Sequence, residues 1–442
     1  MKSLRPLLTL AATASLLGCL SGTNTLTISP SQELQENWDL LKHVYLHVDE
    51  LDSVGAYVGK GASSYGDYAD VVYMFAQLSD RFTRYIVPSQ AEATLAMYLG
   101  SNDNSIGIGI YMETSNDGST TDRDTLRIVH LIPDAPAALA GIQRGDLLVA
   151  VNGNDVTGKL TTKYSDYTMG DVGTAFTLSI IRGTDSLTFA VAKANLTIPT
   201  VWLDSVNNIP VIQVDFFAAA NDSGTGGTKD EFVAALARAG DFTTAIIDLR
   251  GNPGGSVDQC LGMTDALLDT GVIVYQIEHI WADDGTTKID TTDAWPVTAN
   301  SPYEGRKYVF LEDGGSASCS EIMLAGIQRN TNWPLVGTTS YGKGIAQNLW
   351  MTNAGGLAVV TTTEFRDGNW NNYHLKGIVP NYPVSDPDSA LALAVRLASG
   401  DTTTVALAKK SILDVAALSR INARLATRPE HPVAAVRYLG RR

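Results

Sequence analysis

Cysteine is scarce in this chain, with three among 442 residues, at positions 19, 260 and 319. Position 19 lies at the end of a leader-like segment, so at most one disulfide, between Cys260 and Cys319, is open to the rest of the chain. Basic residues are also few. Lys and Arg number 32 against 47 Asp and Glu, for a net charge of -15. That sign argues against nucleic acid or an anionic membrane surface as a main partner. There are only six histidines. His43 and His47 stand four apart on a helical pattern, but no Glu or third ligand accompanies them, and they read as a solvated helix face rather than a metal site. After the leader-like segment, no run is long and apolar enough to cross a bilayer.

Hydrophobic residues make up 44% of the chain and charged residues 18%, which suits a globular protein with a substantial core. A length of 442 residues predicts two or three domains. At the start, Lys2 and Arg5 precede an apolar stretch from Leu7 to Leu17, too short to span a bilayer, and Leu16-Leu17-Gly18-Cys19 follows. This ending resembles the bacterial lipoprotein processing site, which implies that Cys19 is lipidated and becomes the first mature residue. Loss of residues 1–18 would leave 30 basic against 47 acidic residues, or -17. Attachment to a membrane then comes from acyl chains rather than protein charge. Cys260 and Cys319 read either as a disulfide of an exported chain or as two small buried thiols.

Residues 19–32 are polar and unpatterned and read as a tether. From Leu34 to Leu99 the apolar period is helical, as in Trp38, Leu41, Val44 and Tyr45, and again in Val71, Met74, Phe75 and Leu78. From about Asn102 the period becomes two. Strands are predicted over Ile106–Tyr111, Leu126–Val129, Leu147–Val151, Phe176–Ile181 and Ser186–Val191, with a turn at Asn152-Gly153. Beyond Thr200 strands and helices alternate, which predicts a layered α/β domain. Residues 388–398 and 404–427 read as helices, and the basic end of the chain as a loosely docked tail.

Three segments carry candidate chemistry. In Ile247-Asp248-Leu249-Arg250-Gly251-Asn252-Pro253-Gly254-Gly255, an apolar strand ends in a glycine turn whose amides can face a developing oxyanion. No lysine and hydroxyl follow the glycines as a phosphate loop requires. Gly315-Ser316-Ala317-Ser318-Cys319-Ser320-Glu321 places three hydroxyls at a helix start, where the helix dipole favours negative charge. By local chemistry alone Ser316, Ser318 and Ser320 compete, and each also suits a helix cap. Tyr341-Gly342-Lys343-Gly344-Ile345-Ala346-Gln347 puts a lone lysine in a glycine turn, 25 residues after Ser318. A buried lysine can be neutral and act as a base, and Gln347, four residues on, is placed to orient its amine.

Together these segments resemble the carboxy-terminal processing, or tail-specific, protease family of Ser–Lys peptidases. The family's Gly-Ser-Ala-Ser-Ala-Ser-Glu run is present with Cys319 in place of the second alanine. The Gly-Lys-Gly-x-x-Gln motif falls on Lys343 and Gln347, and the Asp-Leu-Arg-x-Asn-Pro-Gly-Gly turn on Asp248 to Gly255. Leu78-Ser-Asp-Arg-Phe-Thr-Arg-Tyr85 resembles the family's segment before its PDZ domain. Lys376-Gly-Ile-Val-Pro-Asn381 resembles a late motif in which aspartate is commoner than Asn381. Ala140-Gly-Ile-Gln-Arg-Gly-Asp-Leu-Leu-Val-Ala-Val-Asn-Gly153 resembles a PDZ domain, which implies a carboxylate-binding loop at Ile106, Gly107, Ile108, Gly109 and Ile110. Arg144 within it reads as a surface arginine with no role, or, with the helix near it, as a candidate for coupling the PDZ domain to the catalytic region.

The resemblance implies Ser318 as nucleophile, Lys343 as base, Gln347 as its orienting partner, and the amides of Cys319, Gly254 and Gly255 as oxyanion donors. It implies an α/β fold: a layered crotonase/ClpP-like α/β catalytic domain over 196–400, an inserted PDZ β-domain over 101–195, an N-terminal helical domain over 33–100 and a C-terminal helical tail over 401–442. No cofactor or metal is implied. The expected partners are protein or peptide substrates held by their C-termini, with a lipid anchor into the bacterial cell envelope facing the periplasm. Two rivals are an inactive lipid-anchored PDZ scaffold and a Ser–His–Asp hydrolase using His279 or His374.

Overall fold

A computed structural model of the chain describes residues 30–99, 105–115, 125–132, 134–157, 168–219, 226–281, 288–298, 301–303, 305–400 and 435–441. The leader, Cys19, the tether up to residue 29 and the helix expected over 404–427 lie outside them.

The region beyond residue 200 is built on a six-stranded sheet in the order Val201–Val206, Ile209–Val214, Thr244–Asp248, Lys307–Glu312, Leu335–Gly337, Tyr382–Pro383. Only the first pair is antiparallel. Parallel strands are covered on both faces, which is why Thr244–Asp248 reads as an unbroken apolar run. Ala245 and Ile247 face a core shared with the helices Gly227–Arg238, Val257–Asp265 and Cys319–Asn330. Ile246, Val309 and Leu311 face the opposite core, closed by the helix Pro387–Ala398.

A second, seven-stranded sheet covers the other side of the helix layer, with Val274 and Phe365 in the shared core. Its centre is the antiparallel pair Ile345–Met351 and Leu357–Arg366, flanked by the hairpin Val272–Trp281 and Lys288–Pro296. The N-terminal helices Pro30–Val44 and Ala69–Ala76 pack on its far face, where Leu41, Tyr45 and Phe75 meet Trp350, Ala358 and Val360. The short strand Arg84–Ile86 adds to Leu357–Arg366, inside a segment that reads as wholly helical from the sequence.

Residues 435–441 correct the expected helical tail. Ala435–Arg441 is a strand, parallel to Ile345–Met351 and to Gly255–Ser256. An open sheet edge supplies the pairing there, and no local periodicity announces such a partner.

The middle region is a six-stranded antiparallel sheet, Ile110–Ser115, Thr125–Leu131, Leu147–Val151, Ala175–Arg182 and Asp185–Ala192, with the two-residue strand Asn154–Asp155 paired to Leu147–Val151 and the short helix Pro136–Leu139. Asn152 and Gly153 both take positive φ, as a tight hairpin turn requires. Arg144 is not idle on the surface. It forms a two-pronged bridge to Asp204 of the mostly parallel six-stranded sheet, at 2.7 and 3.2 Å. Nearby, the rings of Tyr111 and Trp202 meet edge to face at 5.4 Å.

Candidate active site

Three neighbouring parallel strands deliver the three candidate segments. Asp248 pairs with Leu311 and Glu312 with Gly337, so the chain leaves Thr244–Asp248, Lys307–Glu312 and Leu335–Gly337 side by side at their carboxyl ends. Sites in open α/β sheets form at such ends. The first strand runs into the glycine turn, the second into Ser318 and the third into Lys343.

Hydrogen bonding separates the three serines. Ser316 Oγ donates to the Leu249 carbonyl at 2.8 Å, and Ser320 Oγ to the Asn252 carbonyl at 3.0 Å. Both hold the glycine turn against the helix. Ser318 Oγ is fully buried and has no hydrogen-bond partner among the described residues. Its backbone sits at φ 60°, ψ -111°, where a side-chain-bearing residue is strained by about 1–3 kcal/mol. Cys319 opens the following helix, so its amide is one of the donors that the helix leaves unused.

Glu321 ties the Ser318 and Lys343 segments together. Its Oε2 accepts the Ser318 amide at 2.8 Å and the Lys343 amide at 2.6 Å, which places those nitrogens at most 5.4 Å apart (2.8 plus 2.6). Its Oε1 accepts the Gly342 amide and the Ser340 hydroxyl, each at 2.6 Å. Burial pushes the Glu321 carboxyl up, and these hydrogen bonds pull it back only in part. The Ser-x-x-Glu spacing is the helix-start signal for this residue. Its second task, gripping the lysine loop, is visible only in three dimensions.

Lys343 is almost wholly buried. Its Nζ donates to Gln347 Oε1 at 2.7 Å and lies 4.7 Å from the centre of the Phe82 ring. Burial drives its pKa down from 10.5 to about 7, against opposing pulls from Asp80, Cys319 and Glu321. Lys343 and Ser318 are thus neighbours without a direct hydrogen bond between Nζ and Oγ.

The glycine turn is shaped by contact rather than by chain flexibility. Gly255 has φ 142°, and a Cβ there would lie 2.3 Å from the Phe217 carbonyl oxygen. Its carbonyl faces Cys319 Sγ at 3.4 Å, beside the serine helix. One expected oxyanion donor must be withdrawn: the Gly254 amide is already bonded to Asn252 Oδ1 at 2.9 Å. An asparagine two residues back closes this local turn.

Residues 208–384 match the family model described as peptidase family S41, and residues 127–182 match a PDZ domain model. Residues 208–384 form an S41-type peptidase region. Relatives of this S41 peptidase include the carboxy-terminal processing protease CtpA of Bacillus subtilis, 29% identical over 77% of this chain and 69% of that protein. A probable CtpA-like serine protease of Staphylococcus epidermidis is 25% identical over 81% of this chain and 67% of that protein. A solved putative S41 protease from Bacteroides fragilis shares the fold, with a TM-score of 0.53 and 14% identity over 83% of this chain and 97% of that one. The chain is accordingly a serine-type peptidase with a PDZ domain.

Elsewhere in the S41 peptidase, Ile106, Gly107, Ile108, Gly109 and Ile110 line a cleft of about 420 Å³ together with Tyr111, Lys193 and Met169. Gly109 has φ 79°, and a Cβ there would strike Ala135. Among the described residues no imidazole bonds to Ser318. His374 Nδ1 accepts the Gly344 amide at 3.3 Å, and burial lowers its pKa. The side chain of His279 lies outside the description. Cys260 and Cys319 are free and buried. Among the described residues no cluster of three His, Cys, Asp or Glu is placed to hold a metal ion.

Proposed function

We propose that this S41 peptidase is a carboxy-terminal processing endopeptidase in which Ser318 is the nucleophile, Lys343 the general base and Gln347 the group that orients the lysine. The observation that carries the assignment is the unequal bonding of the three serines. Ser316 and Ser320 are committed to carbonyls, while Ser318 alone keeps a free hydroxyl, at a strained position, beside a lysine whose pKa burial lowers to about 7. Neutral Lys343 takes the Ser318 proton as Oγ attacks the substrate carbonyl. The oxyanion is held by the Cys319 and Gly255 amides. Lys343 then returns the proton to the leaving amine, and water releases the acyl group by the reverse transfer.

The PDZ cleft, with Lys193 on its wall, would hold the carboxylate of an exported protein. Cys19, lipidated, would keep the enzyme on the periplasm-facing side of the cell envelope.

Incubation with an unfolded protein at neutral pH tests the mechanism. Ser318→Ala and Lys343→Ala should each lower kcat/KM by about a thousandfold or more with the fold intact, whereas His374→Ala should keep most of the turnover. Activity should rise with pH through about 7, because below that value Lys343 is protonated and cannot accept a proton. Turnover by a folded Lys343→Ala protein would overturn the assignment.

A further inference from the structure

Gln347 does not end at Lys343. Its Nε2 donates to Thr361 Oγ1 at 2.8 Å. Thr361 Oγ1 in turn donates to Asp80 Oδ2, in a short hydrogen bond. The same Asp80 oxygen accepts the Thr83 hydroxyl at 2.6 Å, and Thr83 Oγ1 accepts the Thr361 amide at 2.9 Å. Asp80 Oδ1 accepts the Phe82 amide at 2.9 Å, and Phe82 is the ring beneath the Lys343 ammonium. Arg81 stacks over Phe82 and Tyr341 and bonds the Tyr341 hydroxyl. Thr361, Gln347 and Lys343 are all buried, so no solvent competes for these bonds.

The chain of bonds has only one polarity. A carboxylate offers acceptors and no proton, so Thr361 must donate to Asp80. Its one hydroxyl proton is then used, and toward Gln347 its oxygen can only accept. The amide must therefore turn its NH2 to Thr361 and its carbonyl oxygen to Lys343. A flipped amide would set NH2 against Nζ: donor against donor when Lys343 is charged, and when it is neutral the NH2 would occupy the lone pair that must take the serine proton. A carbonyl at that place holds one N–H of the neutral amine and leaves the nitrogen lone pair for a serine proton.

We propose that Asp80, carried by the N-terminal segment, is a positioning residue of the lysine base: through Thr361 it fixes which end of the Gln347 amide faces Lys343. The proposal rests on Lys343 being the base. Asp80 lies outside the stretch 208–384 matched by the S41 family model, so the base is completed by a part of the chain beyond that stretch. The charged and titratable groups around Lys343 are Asp80 and Arg84 from the N-terminal segment, Cys319 and Glu321 from the serine helix, and His374 from the loop after Leu357–Arg366.

The test is a pH series of kcat and KM on the full chain, using a fluorogenic peptide with a free apolar carboxy terminus. Rates are expressed per site titrated with a serine-directed phosphonate. Thr361→Val and Asp80→Ala should lower kcat roughly ten- to a hundredfold, a part of what a general base supplies, with KM within about twofold. Thr361→Ser should restore most of that loss. Asp80→Asn keeps an acceptor for the hydroxyls but removes a charge that favours the ammonium, so its acid limb should move to lower pH. Wild-type kcat in Thr361→Val together with an unmoved acid limb in Asp80→Asn would overturn the proposal, even with Lys343→Ala inactive. An active Lys343→Ala protein would instead overturn the base assignment itself. If Asp80→Ala does not fold, the Thr361→Val and Thr361→Ser pair still decides.

Discussion

Glu312 ends the strand that leads to Ser318, and both its carboxyl oxygens are buried with no hydrogen-bond partner among the described residues. Burial first, then Glu321 and Asp313, push its pKa from 4.5 up to about 9. The folded state therefore binds a proton that the unfolded chain releases. Stability from this group is full below pH about 4.5 and is lost as pH rises through about 9. Replacing Glu312 by Met should raise stability near pH 8 by about 1–3 kcal/mol and leave it little changed near pH 4. Urea unfolding at the two pH values measures this, and an equal gain at both would show that packing rather than ionisation is responsible. Lys343 has the opposite sign: its lowered pKa makes the folded state bind fewer protons, and its burial costs stability below the ordinary lysine range. At this scale the residue types and spacing of Ser318, Lys343 and Gln347 were legible in the chain. The choice of Ser318 over its two neighbours came from the family resemblance and not from local chemistry, because locally it depends on which carbonyls of a distant turn the other hydroxyls reach.

Secondary-structure elements were legible in proportion to how local their causes are. The parallel strands Thr244–Asp248 and Lys307–Glu312, and the helices after the glycine turn and after Ser318, follow from apolar runs and helix-start residues. The second sheet did not announce itself in the same way. Ile345–Met351, which carries Gln347, begins directly after a glycine turn and mixes polar with apolar side chains, being buried on both faces. Ala435–Arg441 takes its state from a neighbour's edge. The glycine turn is the element whose geometry is most exposed to a single change. Gly255→Ala adds a Cβ that would meet the Phe217 carbonyl at 2.3 Å, at a φ disfavoured for alanine. It should cost about 2 kcal/mol or more of stability and lower kcat through the displaced amide. Thermal unfolding with kcat per titrated site checks both parts, and a variant with wild-type values in both would refute the packing argument.

Across the whole molecule, the site is assembled from units far apart in sequence. The N-terminal helices are anchored on the second sheet, with Tyr85 donating to Glu33 at 2.6 Å, and they bring Asp80 and Phe82 to Lys343. The PDZ region touches the mostly parallel six-stranded sheet through the Arg144–Asp204 ion pair. No described helix is long and apolar enough to cross a membrane, and the proposed envelope attachment is through a lipid on Cys19. Cys19→Ser should move the protein from the membrane fraction to the soluble envelope fraction with kcat unchanged. Fractionation of cells with a peptidase assay on each fraction checks this, and a Cys19→Ser protein that stays on membranes would rule out lipid anchoring at that residue.

The sequence by itself determined the inventory: a layered α/β region, a PDZ module, and a serine, lysine and glutamine at distinctive spacing. Residue type, period and turn chemistry act over a few positions, and such features can be read along the chain. Tertiary structure alone decided which serine keeps its hydroxyl, that the Gly254 amide is already bonded, that Glu321 clasps both loops, and that Asp80 stands behind Gln347. Each of these depends on hydrogen bonds between strand ends, turns and segments that the fold, rather than chain proximity, brings within reach.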